Sequence, residues 1–425
     1  MKHLSSLNER QRQAAVHKDG PLLIIAGAGT GKTSTLTHRV IHLIKGGVAP
    51  SEILAVTFTN KAAKEMRDRI ESLLEKYGFS AGIRYGDTRP FIGTFHSLGV
   101  YILRAHAQVF GLTRHFAILD KNSTSSLMKQ AVKEQGIDSK QFPPDRIANI
   151  ISRQKGDLVT MEEYRASAGN SFFPTIVASV WEKYEKLLNR EKALDFDDLI
   201  LKTVILFRNY PKIRESYQLR WKYIHIDEYQ DTNSAQHELT RLLTGPSKNI
   251  CAVGDGDQNI YSWRGANVQN ILNFENDYAG ARTILLEENY RSTQTILSVA
   301  NEIIKKNTMR KDKNLFTKNI VGGKIGLIES YNEGEEARVV GEKIKNIIAS
   351  GTLPENIAVL YRANFQSRAL EESFLIMGIP YQVLGVRFFE RKEVKDILSY
   401  IRAAENPDSF SDIKRIIDCP PRGIG

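Results

Sequence analysis

Lys32 and Thr33 close the stretch "LLIIAGAGTGKT", residues 22–33, directly after an apolar run and a patch of glycines. An ammonium and a hydroxyl in adjacent positions suit a triphosphate: the lysine can bridge its outer phosphates while the threonine holds Mg²⁺. Gly27, Gly29 and Gly31 let backbone N–H groups approach an anion with no Cβ in the way. Ala26, Gly27, Ala28, Gly29, Thr30, Gly31, Lys32, Thr33 and Ser34 are therefore the candidate phosphate cradle, with Ala26 where such loops usually begin with glycine. The bland alternative is a glycine-rich turn carrying an exposed lysine.

Asp227 and Glu228, in "YIHIDEYQD" (223–231), supply complementary chemistry. One carboxylate can take a metal while its neighbour orients or deprotonates a water; Asp227 is assigned the metal and Glu228 the base. Acids decorating a helix N-terminus would look the same. In "LNERQRQAA", Asn8 and Gln11 fit a capping box, yet a glutamine amide can also read an adenine edge, and spacing leaves both open. "GDGDQNIYSWRGA" (254–266) places Gln258, Tyr261, Trp263 and Arg264 on one short segment, an amide to sense a γ-phosphate and aromatics to stack on bases. Core burial is the commoner fate of such aromatics. Arg291 in "ENYRS" (288–292) has the chemistry of an arginine finger, or of a surface ion pair.

These residues need a scaffold that delivers them to one place. Short β-branched runs alternate with amphipathic helices: "PLLIIAG", "ILAVTFT", "FIGTFHS", "YIHIDE" and "NICAVGD" read as strands of a parallel sheet covered on both faces. Asn60 is the expected N-cap of the helix after "ILAVTFT". Helical patterns dominate from about residue 105 to 219, an insertion between two strands. From Ala281 the alternation restarts, with "RTILLEE", "KIGLIES" and "NIAVLYRA" as strands of a second α/β unit. A net charge of +10 favours a polyanionic partner. Two distant cysteines suit a reducing compartment, and no run has the length or apolarity of a signal peptide or membrane span. The expected location is cytoplasmic.

Taken together and in order, "AGAGTGKT", "TFTNKAAKEM", "GTFHS", "DFDDL", "IDEYQD", "GDGDQNIYSWRG", "NYRS", "VLYRANFQSR" and "RGIG" resemble the motifs of UvrD/Rep-type helicases of superfamily 1. The resemblance covers nearly the whole chain. It implies an α/β P-loop NTPase with two RecA-like parallel-sheet domains, helical insertions in each and an ATP site between them. It also implies Mg-ATP-driven 3′-to-5′ movement on single-stranded DNA, with duplex unwinding at single/double-strand junctions. On this pattern Gln11 resembles the adenine-reading glutamine, Tyr290 an aromatic on the adenine face, Gln258 the γ-phosphate sensor and Arg291 an arginine finger. Thr57, Phe58, Asn60, Thr94, Phe95 and His96 resemble DNA-facing residues of the first motor. Tyr261, Trp263 and Arg264 resemble its base-stacking segment, and Arg362 and Asn364 phosphate contacts of the second. Asp195, Asp197 and Asp198 match a family motif, with a structural role equally open. Ser34 stands where many relatives carry Arg.

The implied organisation is a first motor domain over 1–108 and 190–280, a helical insertion over 109–189, a partial second motor over 281–380, and the start of a second insertion over 381–425. Relatives continue past "RGIG", so the resemblance implies a truncated helicase. Three other functions remain open: a fragment that binds ATP and DNA without unwinding, a P-loop kinase or metabolic ATPase, and a nuclease built on "DFDDL".

Overall fold

Buried apolar runs dictate the centre of the molecule, because a strand with apolar residues on both faces must be covered on both. The computed structural model describes residues 2–77, 89–384, 392–405, 410–420 and 422–423. Its strands are β1 (Leu22–Ala26), β2 (Ile53–Thr57), β3 (Phe91–Thr94), β4 (Ala117–Ile118), β5 (Ala193–Leu194), β6 (Tyr223–Ile226), β7 (Ile250–Gly254) and β8 (Arg282–Leu286). Six of them form one parallel sheet in the order β3-β2-β6-β7-β1-β8. Every residue of β1, β2, β6 and β7 is buried.

The chain divides into two units, Met1–Lys324 and Ile325–Gly425. In the first, helices α1 (Glu9–Val16), α2 (Lys32–Lys45) and α3 (Asn60–Lys76) precede β3. Leu36 and Val40 of α2 and Met66 and Ile70 of α3 cover one sheet face. The other face is covered by α4 (Phe95–Ala105), with later α9 (Asp198–Asn209) and α11 (Ser234–Leu243), through Leu98, Ile102, Val204, Phe207 and Leu239. Between them α5 (Lys121–Glu134), α6 (Pro144–Gly156), α7 (Met161–Ala168) and α8 (Phe172–Arg190) enclose a separate core of Leu127, Ile147, Val177 and Trp181. Helix α10 (Pro211–Arg220) leads back to β6.

Three local expectations differ from the structure. The strand read from "RTILLEE" does not open a second sheet: β8 pairs with β1, from Leu22↔Arg282 to Ala26↔Leu286, and satisfies the edge of β1 that β7 leaves free. Asn60 is the first residue of α3, and its N-cap is Thr59, whose extended backbone lets its hydroxyl accept from the Ala62 N–H at 3.1 Å. Residues 324–330 and 356–361 form no strand, and Leu327 and Leu360 are 97% and 92% exposed. An apolar run becomes a strand only when a neighbour takes its backbone groups, and no described residue pairs with these two. The second unit is held instead by helices Glu333–Ala349 and Ser367–Ile376 around Ile344, Phe374 and Ile379. Of the expected second insertion, residues 385–391, 406–409, 421 and 424–425 lie outside the described residues, while Lys392–Glu405 and Phe410–Ile416 are helical.

Candidate functional site

All the strand ends that matter point the same way. In a parallel sheet the loops after β1, β6, β7 and β8 emerge at one carboxyl edge, where open α/β sheets take ligands. The loop after β1 turns through Gly29 and Gly31 with φ of +71° and +82°. These glycines are required: a Cβ on Gly29 would stand 2.6 Å from Asn289 Nδ2, and one on Gly31 2.6 Å from Gln11 Nε2. Asn289 Nδ2 donates to Ala28 O at 2.6 Å, Tyr290 N to Gly29 O at 2.9 Å, and Gln11 Nε2 to Thr30 O at 2.9 Å. Held from outside by its carbonyls, the loop presents the N-terminus of α2 to an anion. Lys32 is the first residue of α2, and Thr33 and Ser34 follow, half-buried.

Lys32 Nζ donates to Glu228 Oε2 at 2.9 Å and lies 3.5 Å from Gln258 Oε1. Glu228 adopts φ +51°, a left-handed conformation that costs a non-glycine residue about 1 kcal/mol or more. It is fixed there by Gln230, whose Nε2 donates to Glu228 Oε2 at 2.9 Å. Asp227, buried beneath it, has its carboxyl pushed up to about 6, first by burial and then by Glu228, with Lys32 pulling the other way. Asp231 is likewise raised to about 6 by burial and Glu228, and its Oδ1 is buried with no partner. Crowded, under-neutralised carboxylates with an orphaned oxygen are the donor set a hard divalent cation relieves. Among the described residues no cluster of three or more His, Cys, Asp or Glu could hold a metal by itself. Mg²⁺ does not need one, since it commonly takes one or two protein ligands and completes its shell with phosphate and water. Thr33 and Asp227 fit that pattern.

The capping-box reading of Gln11 holds, and the same side chain has a second partner. Asn8 Oδ1 accepts from Gln11 N at 2.8 Å and Gln11 Oε1 from Asn8 N at 3.0 Å, a complete capping box, while the same amide grips the phosphate loop. Asn8 Nδ2 also donates to the Tyr290 hydroxyl at 2.7 Å, and the Tyr290 ring is 51% exposed. Arg291 is anchored by its backbone, N–H to Asn289 Oδ1 at 2.9 Å, and its Cβ lies 2.8 Å from where a Gly29 Cβ would stand. Its side chain is exposed beside the loop.

A row of aromatics runs beside this corner. Phe58 and Tyr261 have centroids 5.2 Å apart, Tyr261 and Trp263 6.4 Å, and Trp263 is 67% exposed. His96 meets Phe196 at 5.2 Å, and burial lowers the His96 pKa. Asn60 is exposed, whereas Thr57, Thr94 and Phe95 are buried: Thr57 Oγ1 donates to Thr59 O, Thr94 caps α4, and Phe95 belongs to the sheet core. The Arg264 side chain lies outside the described residues. In the second unit Arg362 and Asn364 are exposed near the start of a short helical turn.

Asp195 and Asp198 are not part of this corner. They surround the buried Lys155, with Nζ 2.8 Å from Asp195 Oδ2, 2.9 Å from Asp198 Oδ1 and 2.9 Å from Glu185 Oε1. Sequence reading missed Lys155, Asn289 and Phe196. Asn289 sits inside "ENYRS" and was open to notice; a buried lysine in a polar helical stretch carries no local signal.

Comparisons with known proteins give the family. A family model described as the UvrD/REP helicase N-terminal domain matches residues 7–279, and one described as the UvrD-like helicase C-terminal domain matches residues 284–425. The chain belongs to the UvrD/Rep helicase family. Among curated relatives in that family, an ATP-dependent DNA helicase PcrA of Staphylococcus epidermidis is 47% identical over 424 residues, covering 99% of this chain and 57% of that protein. One of Staphylococcus aureus is 46% identical over 426 residues, with the same coverage. The chain thus spans little more than half the length of these UvrD/Rep relatives. No described helix is long and apolar enough to cross a membrane.

Proposed function

We propose that this chain binds Mg-ATP at the β1–α2 loop and single-stranded DNA along the aromatic row, and hydrolyses ATP to drive 3′-to-5′ movement and duplex unwinding. One observation carries the reading. Lys32, Glu228 and Gln258, from the ends of β1, β6 and β7, converge within 3.5 Å on one point beside the α2 N-terminus. In this scheme Lys32 leaves Glu228 for the incoming β- and γ-phosphates. Glu228, freed of its counter-ion, takes the proton of the attacking water. Gln258 reports the γ-phosphate to Tyr261 and Trp263 on the same segment. Arg291 steadies charge on the transferring phosphoryl group, and Gln11 and Tyr290 flank the base. Mg²⁺ on Thr33 and Asp227 would supply charge neutralisation at the phosphates. For the DNA, Arg362 and Asn364 are assigned contacts to its phosphates, and Arg264 a role with Tyr261 and Trp263.

Lys32→Ala tests the reading directly. A fluorescent-ATP titration is expected to show binding abolished, and unchanged affinity would overturn the site. A second reading, a fragment that binds ATP and DNA without unwinding, is favoured by the exposed Leu327 and Leu360 of two apolar runs, 324–330 and 356–361, that pair with no described residue. Strand displacement on a 3′-tailed duplex separates the two: release of the short strand supports the motor, and ATP turnover without release supports the fragment.

A further inference from the structure

Asp255, at the end of β7, is 2% exposed and uses its two oxygens differently. Oδ2 accepts from Gln258 Nε2 at 2.7 Å, which turns the glutamine's Oε1 toward Lys32. Oδ1 accepts from Lys313 Nζ at 2.5 Å and from Asp257 N at 3.0 Å. Lys313 also pairs with Asp257, and Arg310 reaches Asp257 at 3.1 Å. These four charged side chains are nearly enclosed, with Lys313 only 4% exposed. They balance, two carboxylates against two cations, so burial leaves no net charge to be solvated.

Lys313 arrives on a segment fixed elsewhere around the phosphate loop. Leu315 packs on Gly27, so closely that a Cβ there would meet its methyl group at 2.3 Å. Phe316 N donates to Glu287 O at 3.0 Å and Asn289 N to Phe316 O at 2.7 Å, immediately before Tyr290 and Arg291. Asp255 N donates to Gln230 Oε1 at 2.9 Å, and Gln230 holds Glu228. A closed ring of bonds therefore runs Lys32, Glu228, Gln230, Asp255, Gln258 and back to Lys32, and Lys313 grips it from outside at Asp255.

We propose that Lys313 is a positioning residue for the γ-phosphate: by clamping Asp255 and Asp257 it holds the Gln258 amide with Oε1 outward, where it accepts from Lys32 and from a water on the third phosphate, a bridge that a diphosphate lacks. This deepens the ATP-site reading above and rests on it. A lysine that served only the fold would affect both nucleotides equally. One that aims Gln258 affects only the nucleotide with a third phosphate.

The test is the affinity of the whole chain for a fluorescent non-hydrolysable ATP analogue and for fluorescent ADP, both with Mg²⁺. In Lys313→Met, which keeps the aliphatic stem, analogue affinity is expected to fall about tenfold, the scale of losing a charge-assisted bond. ADP affinity should stay within about twofold, and Lys313→Arg should restore analogue binding. Should the methionine variant not fold, Lys313→Gln still donates to one carboxylate, with an expected loss of about threefold. Equal losses for both nucleotides, or no loss for either, overturn the inference while leaving the ATP site standing. A wild-type chain that binds both equally also overturns it, having no preference for Gln258 to carry. A wild-type chain that binds neither overturns the ATP-site reading, and this inference with it.

Discussion

Lys32 and Lys155 both meet carboxylates at about 2.9 Å, and they have opposite fates. Lys32 has one carboxylate partner, a side chain 12% exposed, and a partner that is itself 34% exposed. Lys155 has three carboxylate partners, a side chain 1% exposed, and the Tyr184 hydroxyl donating to Asp195 at 3.1 Å. Burial alone would pull the Lys155 pKa down, but Asp195, Asp198 and Glu185 outweigh it and hold the ammonium charged. The comparison separates two uses of one bond. An ion pair at a sheet edge with water beside it can be exchanged for a ligand. One closed off from water cannot, and here it joins α6 and α8 of the insertion to the start of α9.

The largest expected effect breaks the closed pair. Lys155→Met leaves Asp195, Asp198 and Glu185 in burial without a cation, at a cost of about 3–5 kcal/mol; a urea melt should show it, while the folded fraction retains nucleotide affinity. A loss under about 1 kcal/mol would mean the cluster is wetter than it looks. Breaking the open pair should do the reverse. Lys32→Met is expected to lower nucleotide affinity at least about 100-fold, roughly 2.7 kcal/mol, with little change in the melting temperature. A smaller effect belongs to the aromatic row: Trp263→Ala should weaken oligonucleotide binding by about 1–3 kcal/mol whatever the base sequence. A loss confined to particular bases would argue against stacking. Binding by wild type should also fall as salt rises, through counterion release.

The smallest effect concerns a third polar cluster, at the opposite end of α2 from Lys32. His3 stacks on His42 at 5.4 Å, its Nε2 lying 3.2 Å from His42 Nδ1, with Lys45 Nζ 3.4 Å from its other nitrogen. Its pKa is lowered to about 4, first by burial and then by Lys45, His42 and His38. Unfolded, it titrates near 6.5, so between these values the unfolded chain takes up a proton that the folded chain refuses. Stability is full above about 6.5 and declines as pH falls toward 4. His3→Gln should flatten that decline in thermal melts, and an unchanged slope would place the acid sensitivity elsewhere.

Much of the site was readable because its chemistry is local. A glycine loop, an acid pair at a strand end and an amide near two aromatics are each contiguous in sequence. The sheet was readable for a similar reason, since β1, β2, β6 and β7 are apolar throughout. What failed was pairing. "RTILLEE", "KIGLIES" and "NIAVLYRA" look alike as residues, yet among the described residues only the first finds a neighbour, β1, and becomes a strand. Thr57, Thr94 and Phe95 belong to motifs that resemble a DNA track, but which side of a strand end faces solvent depends on the helix packed against it.

The order and type of the glycine-rich, acidic and aromatic segments were set by sequence alone, because each depends on side chains a few residues apart and on the alternation that makes strands and helices. Tertiary structure decided which partners those side chains acquired. Lys313 reaches Asp255 across 58 residues, and Lys155 reaches Asp198 across 43. Such distances are bridged only when the sheet and its helices close, so whether a lysine pairs at an open sheet edge or is enclosed among carboxylates is settled by packing rather than by its neighbours in the chain.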